Sequence, residues 1–383
     1  MKQLLFVLLF IPFAIYSQVA ELTLLDATTK QTIANAEVYY ANSLNGSITN
    51  EEGKARIFVE NDTLTLSHIG YETKKIFTNK TFTKATLYLN PQEIQLDEVV
   101  LYNFDLKKKV KYVLDNYFKL YDTKAKILEC TYREKLIRND TLTRLYQVQL
   151  DWWSKNYVFH FNKKLNENIQ IHLKSTDYSK MLSEEEIVAR SVYLERAPMF
   201  MYLFLNTYLS LINQFGKNIE IKKVEKNKEV TKVTFNADIV INKKLNLKLE
   251  NSVLVFDNTT NAVRKVIFND IHQGISDKIS EKTKVPYKSI TDNYCLELTL
   301  TDYKGKLLFS SYYVRLIGAV EYKGKRDKLF LEHSFLRTGV QNKHIKKEDR
   351  IDIQKSFHEY VTPHKQGEAK FMLTKEEQDF INQ

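Results

Sequence analysis

Leu22-Thr23-Leu24-Leu25, Ala36-Glu37-Val38-Tyr39-Tyr40-Ala41, Arg56-Ile57-Phe58-Val59, Thr63-Leu64-Thr65-Leu66-Ser67-His68-Ile69 and Lys84-Ala85-Thr86-Leu87-Tyr88-Leu89 carry apolar residues mostly at every second position. A period of two puts those side chains on one face of a strand, and short runs of this kind between turn residues predict a small β-sandwich. Asn45-Gly46 and Glu52-Gly53 bracket a segment in which glycine can take the positive φ of tight turns. The stretch from Tyr40 to Arg56 therefore reads as a hairpin-rich connection.

Within this region stand Asp26, Ile33-Ala34-Asn35-Ala36-Glu37-Val38, Gly46-Ser47-Ile48-Thr49-Asn50-Glu51-Glu52-Gly53, Asp62-Thr63-Leu64, Ser67-His68-Ile69-Gly70-Tyr71 and Leu96-Asp97-Glu98-Val99-Val100. In that order they resemble the carboxypeptidase-like regulatory domain of exported Bacteroidetes proteins. The resemblance implies a transthyretin-like, seven-stranded sandwich without an active site of its own. Lys54-Ala55 departs from the pattern, which usually places a large apolar residue after the glycine. Such domains also precede TonB-dependent receptors, but only 283 residues follow Val100. A plug and a 22-stranded barrel need roughly twice that length.

The chain has 383 residues, of which 43% are hydrophobic and 12% aromatic, with only 10 Gly and 5 Pro, enough for two folded domains with proper cores. Lys2, the apolar run Leu4 to Ile15 and the small residue in Tyr16-Ser17-Gln18 have the layout of a secretory leader, too short to span a bilayer. Export to the periplasm or the outer membrane is expected, with surface display or release less so. A formal net charge of +10 invites nucleic acid, but no aromatic-basic recognition motif is present and export removes the opportunity. An envelope protein or an anionic glycolipid is the partner that fits.

The expected plan is a leader at 1–17, the sandwich at 18–96, a linker at 97–104 and a larger α+β domain with a curved antiparallel sheet at 105–383. Asp105 N-caps a helix reaching about Tyr121, with Leu106, Val110, Val113, Leu114, Tyr117 and Tyr121 on one face. Strands follow at Lys126–Leu136, Thr141–Trp152, Tyr157–Phe161 and Ile169–Lys174. Helices broken by Pro198 run from Ser183, which has Glu186 three residues on, to about Gln214. Strand text returns from Ile219 to Val340, including Val253–Phe256 turned into Val263–Phe268 and long runs at Tyr294–Tyr303, Lys306–Tyr322 and Lys325–Thr338. Thr374 and Glu377 form a capping box for a final helix carrying Phe380 and Ile381.

Catalytic motifs are missing. None of the eight histidines has Glu at the third position after it, and H-E-x-x-H, G-x-G-x-x-G, G-x-S-x-G and a proper phosphate loop are absent. His333, His344, His358 and His364, with Glu348, Asp349 and Glu359, are the densest metal-capable region, but their spacing fits no common ligand pattern. No metal or cofactor is expected. Cys130 alternates with Leu128 and Tyr132 whereas Cys295 falls with Glu297 and Thr299, so the two read as unpaired thiols. Trp152-Trp153 places one indole in the core and one outside, where it could stack on a sugar. Asp62-Thr63-Leu64 and Asp140-Thr141-Leu142 resemble the O-glycosylation acceptor of that bacterial group, and a plain strand start explains both equally.

Met199 to Ile212 is the most apolar stretch after the leader and too short to cross a membrane, so it reads first as a buried helix. Met199, Met201, Tyr202, Phe204, Leu205 and Tyr208 are the candidate surface for an apolar ligand or partner, as a lid or docking helix. The expected function is a non-enzymatic exported envelope binding protein. A lipid or apolar-ligand carrier is the alternative, and a hydrolase with a dispersed site is a second one.

Overall fold

The computed structural model describes residues 18–40, 45–68, 70–91, 104–160, 162–182, 203–241, 246–279, 284–353, 360–361 and 371–383. The expected leader, the linker up to 103 and the helical stretch 183–202, with its Ser183 cap and Pro198 break, lie outside them. Seven strands build the N-terminal part: β1 (Val19–Asp26), β2 (Glu37–Tyr40), β3 (Gly46–Ile48), β4 (Lys54–Phe58), β5 (Thr63–Ser67), β6 (Lys74–Phe77) and β7 (Lys84–Leu89). They form two sheets, β4-β1-β7 and β3-β2-β5-β6.

The alternation works as the physics requires. Leu22, Leu24, Val38, Ile57, Leu64 and Leu66 point between the sheets and form an apolar cluster separate from that of the larger sheet. At the departing pair, Lys54 faces solvent and Ala55 is fully buried opposite Leu22. Gly53 has φ +70°, and a Cβ there would lie 2.5 Å from the Leu24 carbonyl oxygen, so only glycine fits. Gly46 differs from expectation: it opens β3 in ordinary strand geometry, pairing with Tyr39.

The rest is one antiparallel sheet made of β8 (Lys124–Arg138), β9 (Thr141–Asn156), β10 (Ile169–Met181), β11 (Gly216–Lys226), β12 (Val230–Val240), β13 (Asn246–Asp257), β14 (Val263–Asp270), β15 (Gly274–Ile279), β16 (Pro286–Tyr303), β17 (Lys306–Tyr322) and β18 (Lys325–Gln341). Its order is β10-β9-β8-β18-β17-β16-β14-β13-β12-β11, with β15 added to β16. Among the described residues the short helices are α1 (Leu106–Asp115), α2 (Tyr117–Leu120), α3 (Leu165–Asn168), α4 (Leu205–Ser210), which continues into a π-helical turn at Leu211–Phe215, and α5 (Lys375–Asn382), with a 3-10 turn at Lys347–Asp349.

Local chemistry explains where these elements start and stop. Asp105 accepts the Lys108 amide at 2.9 Å and opens α1, and the Asn116 side chain, bonded to the Tyr112 carbonyl at 3.0 Å, marks its break from α2. Thr374 and Glu377 make the expected capping box of α5. The strand expected at Tyr157–Phe161 is not formed among the described residues 157–160. Tyr157 instead turns its hydroxyl onto the carbonyls of Lys126 and Trp152, at 2.9 and 3.1 Å, and Phe161 lies outside the described residues.

The large sheet curls around α4. The Phe204 ring lies 5.3 Å from Trp152 on β9, and Tyr208 lies 5.2 Å from Phe268 on β14. Five strand spacings separate β9 from β14, about 24 Å in a flat sheet, whereas four helical residues advance only about 6 Å. Only a curved sheet lets one helical turn touch both strands. The other face is covered on its β8–β10 and β17 side by α5 and by the N-terminal sandwich, whose strands never merge with the large sheet.

Candidate functional site

The concave face is a bed of aromatic side chains. Trp152 is fully buried and makes edge contacts with Tyr157, Phe204 and Phe309 at 5.1, 5.3 and 5.1 Å. Of the six residues singled out in the apolar segment, Phe204, Leu205 and Tyr208 are buried in this bed, while Met199, Met201 and Tyr202 lie outside the described residues. Asn206 clamps the segment by accepting the Phe159 amide at 2.8 Å and donating to the Phe159 carbonyl at 3.0 Å. A void of about 20 Å³ remains beside Phe204, lined by Tyr117, Tyr121, Trp152 and Phe309 among others. It has room for about one water.

Farther along the same face lies a buried polar cluster. Glu134 on β8 accepts the Arg144 Nε–H at 2.6 Å, the Tyr146 hydroxyl at 2.8 Å and the Tyr132 hydroxyl at 3.0 Å. His333 on β18 places Nδ1 2.6 Å from the Tyr132 oxygen. Burial holds both tyrosines well above the usual phenol range and pushes His333 below the usual imidazole value despite nearby Glu134. The imidazole is therefore neutral at neutral pH. The cluster pins β8, β9 and β18 together. Among the described residues the buried Arg144 Nη2 nitrogen meets no hydrogen-bond acceptor. Sequence reading passed over this group, although its signal was present: Glu134 sits in the apolar phase of Leu128, Cys130, Tyr132 and Leu136.

On the opposite face a second network ties the sandwich to the sheet. Glu51 meets Lys135 at 3.2 Å, and Lys135 meets Glu377 of α5 at 3.2 Å, beside Arg133 at 2.5 Å from Glu377. Asn50 donates to the Met372 carbonyl at 3.3 Å, and Glu52 accepts the Lys375 amide at 3.1 Å. Burial pushes the Glu377 carboxyl up, but Arg133 and Lys135 outweigh it and hold the group below the usual carboxylate range. Glu37 behaves oppositely: burial raises it above that range, with Ser311 donating at 2.8 Å. The Thr49–Gly53 turn, part of the family resemblance, is thus a docking element.

The remaining candidates are scattered. His344 packs on Trp153 at 5.2 Å, and that indole, expected outside, is only 8% exposed because Ile345 also covers it. His358, Glu359 and His364 lie outside the described residues, and among the described residues no three metal-capable side chains converge. Cys130 is buried on β8 and Cys295 half-buried on β16, with two strands between them and no disulfide joining them. Among the described residues no helix is long and apolar enough to cross a membrane.

The seven strands and the Thr49–Gly53 turn fall where a family model applies. Residues 23–101 match the CarboxypepD_reg-like domain. No curated protein matches the sequence. Among solved structures, a LolA superfamily protein from Nitrosomonas europaea is 10% identical over 66% of this chain and 99% of its own, at a TM-score of 0.23. Lipovitellin is 7% identical over 59% of this chain and 26% of its own, at 0.24. A protein of unknown function from Bacteroides fragilis, titled as membrane-associated, is 9% identical over 85% of this chain and 98% of its own, at 0.15. TM-scores this low denote local likeness only.

Proposed function

We propose that the chain is a non-enzymatic, exported cell-envelope protein in which the CarboxypepD_reg-like sandwich braces the outer face of the large sheet and the concave face binds. The supporting observation is the aromatic bed that curls around α4, with Phe204 and Tyr208 contacting strands five positions apart. A surface of this chemistry accepts apolar matter, and here it holds the chain's own short helix.

The finer reading is an apolar-ligand or lipid carrier. It is favoured by the shortness of the segment: α4 has six residues and no side-chain N-cap. A guest acyl chain would take the place of Phe204, Leu205 and Tyr208 against Trp152. The test is lipid extraction and mass spectrometry of the purified full chain, together with Trp fluorescence on adding a fatty acid. Copurifying lipid and a shifted emission support the carrier reading. A lipid-free protein whose emission ignores fatty acid contradicts it and leaves the bracing role standing.

A further inference from the structure

The free end of the large sheet presents a different surface. There β15 and β16 meet in a hairpin beside the β17–β18 turn, and β15 leaves Ile275 and Ile279 63% and 67% exposed. The two lie on one face, opposite Ile290 and Pro286 in the cross-strand register. Lys278, Lys284, Lys288, Lys323, Lys325 and Arg326 are all exposed around them. Asp277, Glu321 and Asp327 oppose these six cations within the described hairpin ends, and Asp327 is already paired with Arg138. Behind the cations an open groove of about 580 Å³ is lined by Tyr287 and Tyr322.

We propose that this end docks onto an anionic lipid bilayer surface, with Ile275 and Ile279 entering the headgroup boundary and the lysine collar meeting the lipid phosphates. Charge complementarity favours a bilayer. Six cations against three carboxylates, one of them already paired with Arg138, suit a surface of uniform negative charge. Exposed isoleucines amid such a collar suit a soft, penetrable phase, whereas a protein partner would need a matching pit. The Arg326–Glu321 pair, at 3.3 Å, is 52% and 37% exposed and weak in water. The sandwich and α5 dock elsewhere, through Ser311, Arg133 and Lys135, so a bilayer can meet this end without displacing them. This inference does not depend on whether the concave face takes a guest.

The test is cosedimentation of the full chain with vesicles of phosphatidylglycerol and phosphatidylcholine, against pure phosphatidylcholine, at low and high salt. Binding to the anionic vesicles alone, weakened by salt, is expected. Replacing Lys323, Lys325 and Arg326 together by Gln should lower partitioning about 100-fold, since each lost cation costs roughly fivefold. Ile275→Ser with Ile279→Ser should lower it about tenfold. All five side chains are solvent-facing or half so, and melting curves check that the variants stay folded. Failure of the wild-type chain to bind anionic vesicles, or equal binding by wild type and variants, would overturn the proposal. So would a dimer in sedimentation equilibrium that Ile279→Ser abolishes, because the face would then belong to a second copy.

Discussion

Replacing Glu377 by Gln removes one negative charge from a site where two cations depend on it. Glu377 is 1% exposed and lies 2.5 Å from Arg133 and 3.2 Å from Lys135, whose side chains are 14% and 6% exposed. Gln keeps the shape and can still accept the Thr374 amide, bonded at 3.0 Å in the native protein. What is lost is charge compensation, and breaking a buried pair from one side costs about 3–5 kcal/mol. Glu51 remains near Lys135, so the lower end, about 3 kcal/mol, is expected. For a domain of this size that corresponds to a melting temperature lower by roughly 6–10 °C. Calorimetry at neutral pH measures it. The pH dependence has a definite sign: the folded carboxyl is held below its ordinary value of 4.5, so its contribution is complete above that value and is lost as pH falls through the folded pKa. The Gln variant should lack that acid-side loss. A variant melting within 1 °C of wild type, with the same acid limb, would refute the reasoning.

Asn206→Ala strands the Phe159 amide and carbonyl in a dry site and should cost about 2–3 kcal/mol in urea titration of the full chain. Glu37→Gln should leave stability unchanged or raised at pH 7.5. Burial lifts the native carboxyl above its unfolded value, so its favourable contribution is complete below 4.5 and fades as pH rises through the folded pKa, as paired melts at two pH values would show. Gly53→Ala forces a Cβ toward the Leu24 carbonyl at positive φ and should destabilise the sandwich by more than about 1 kcal/mol, read by hydrogen exchange of β1 and β4.

How much of this was legible in the sequence depended on what covers each face. In the sandwich, period-two alternation was enough, because one face of each strand meets the other sheet. Asp105 and Thr374 announced their helices through side chains that bond within three residues. In β8 and β9 the alternation is blurred, since Leu128 and Trp152 face α4 while Lys135 and Trp153 are buried on the other side by segments distant in sequence. Alternation names the faces of a strand and is silent about what lands on the second one. Trp153 was misplaced for that reason, and the Glu134–Arg144–His333 cluster escaped notice because its members come from three strands. Tyr157 carried a strand-like neighbourhood, but its hydroxyl found two carbonyls in a turn.

Hydrogen exchange of residues 203–215 in the full chain, with and without a bound fatty acid, bears most directly on the concave face as a binding surface. Faster exchange across α4 and its π-helical turn on adding the ligand, with β13 and β14 still protected, is the expected result. Unchanged or slower exchange there, in a sample where ligand binding is independently measured, would contradict it.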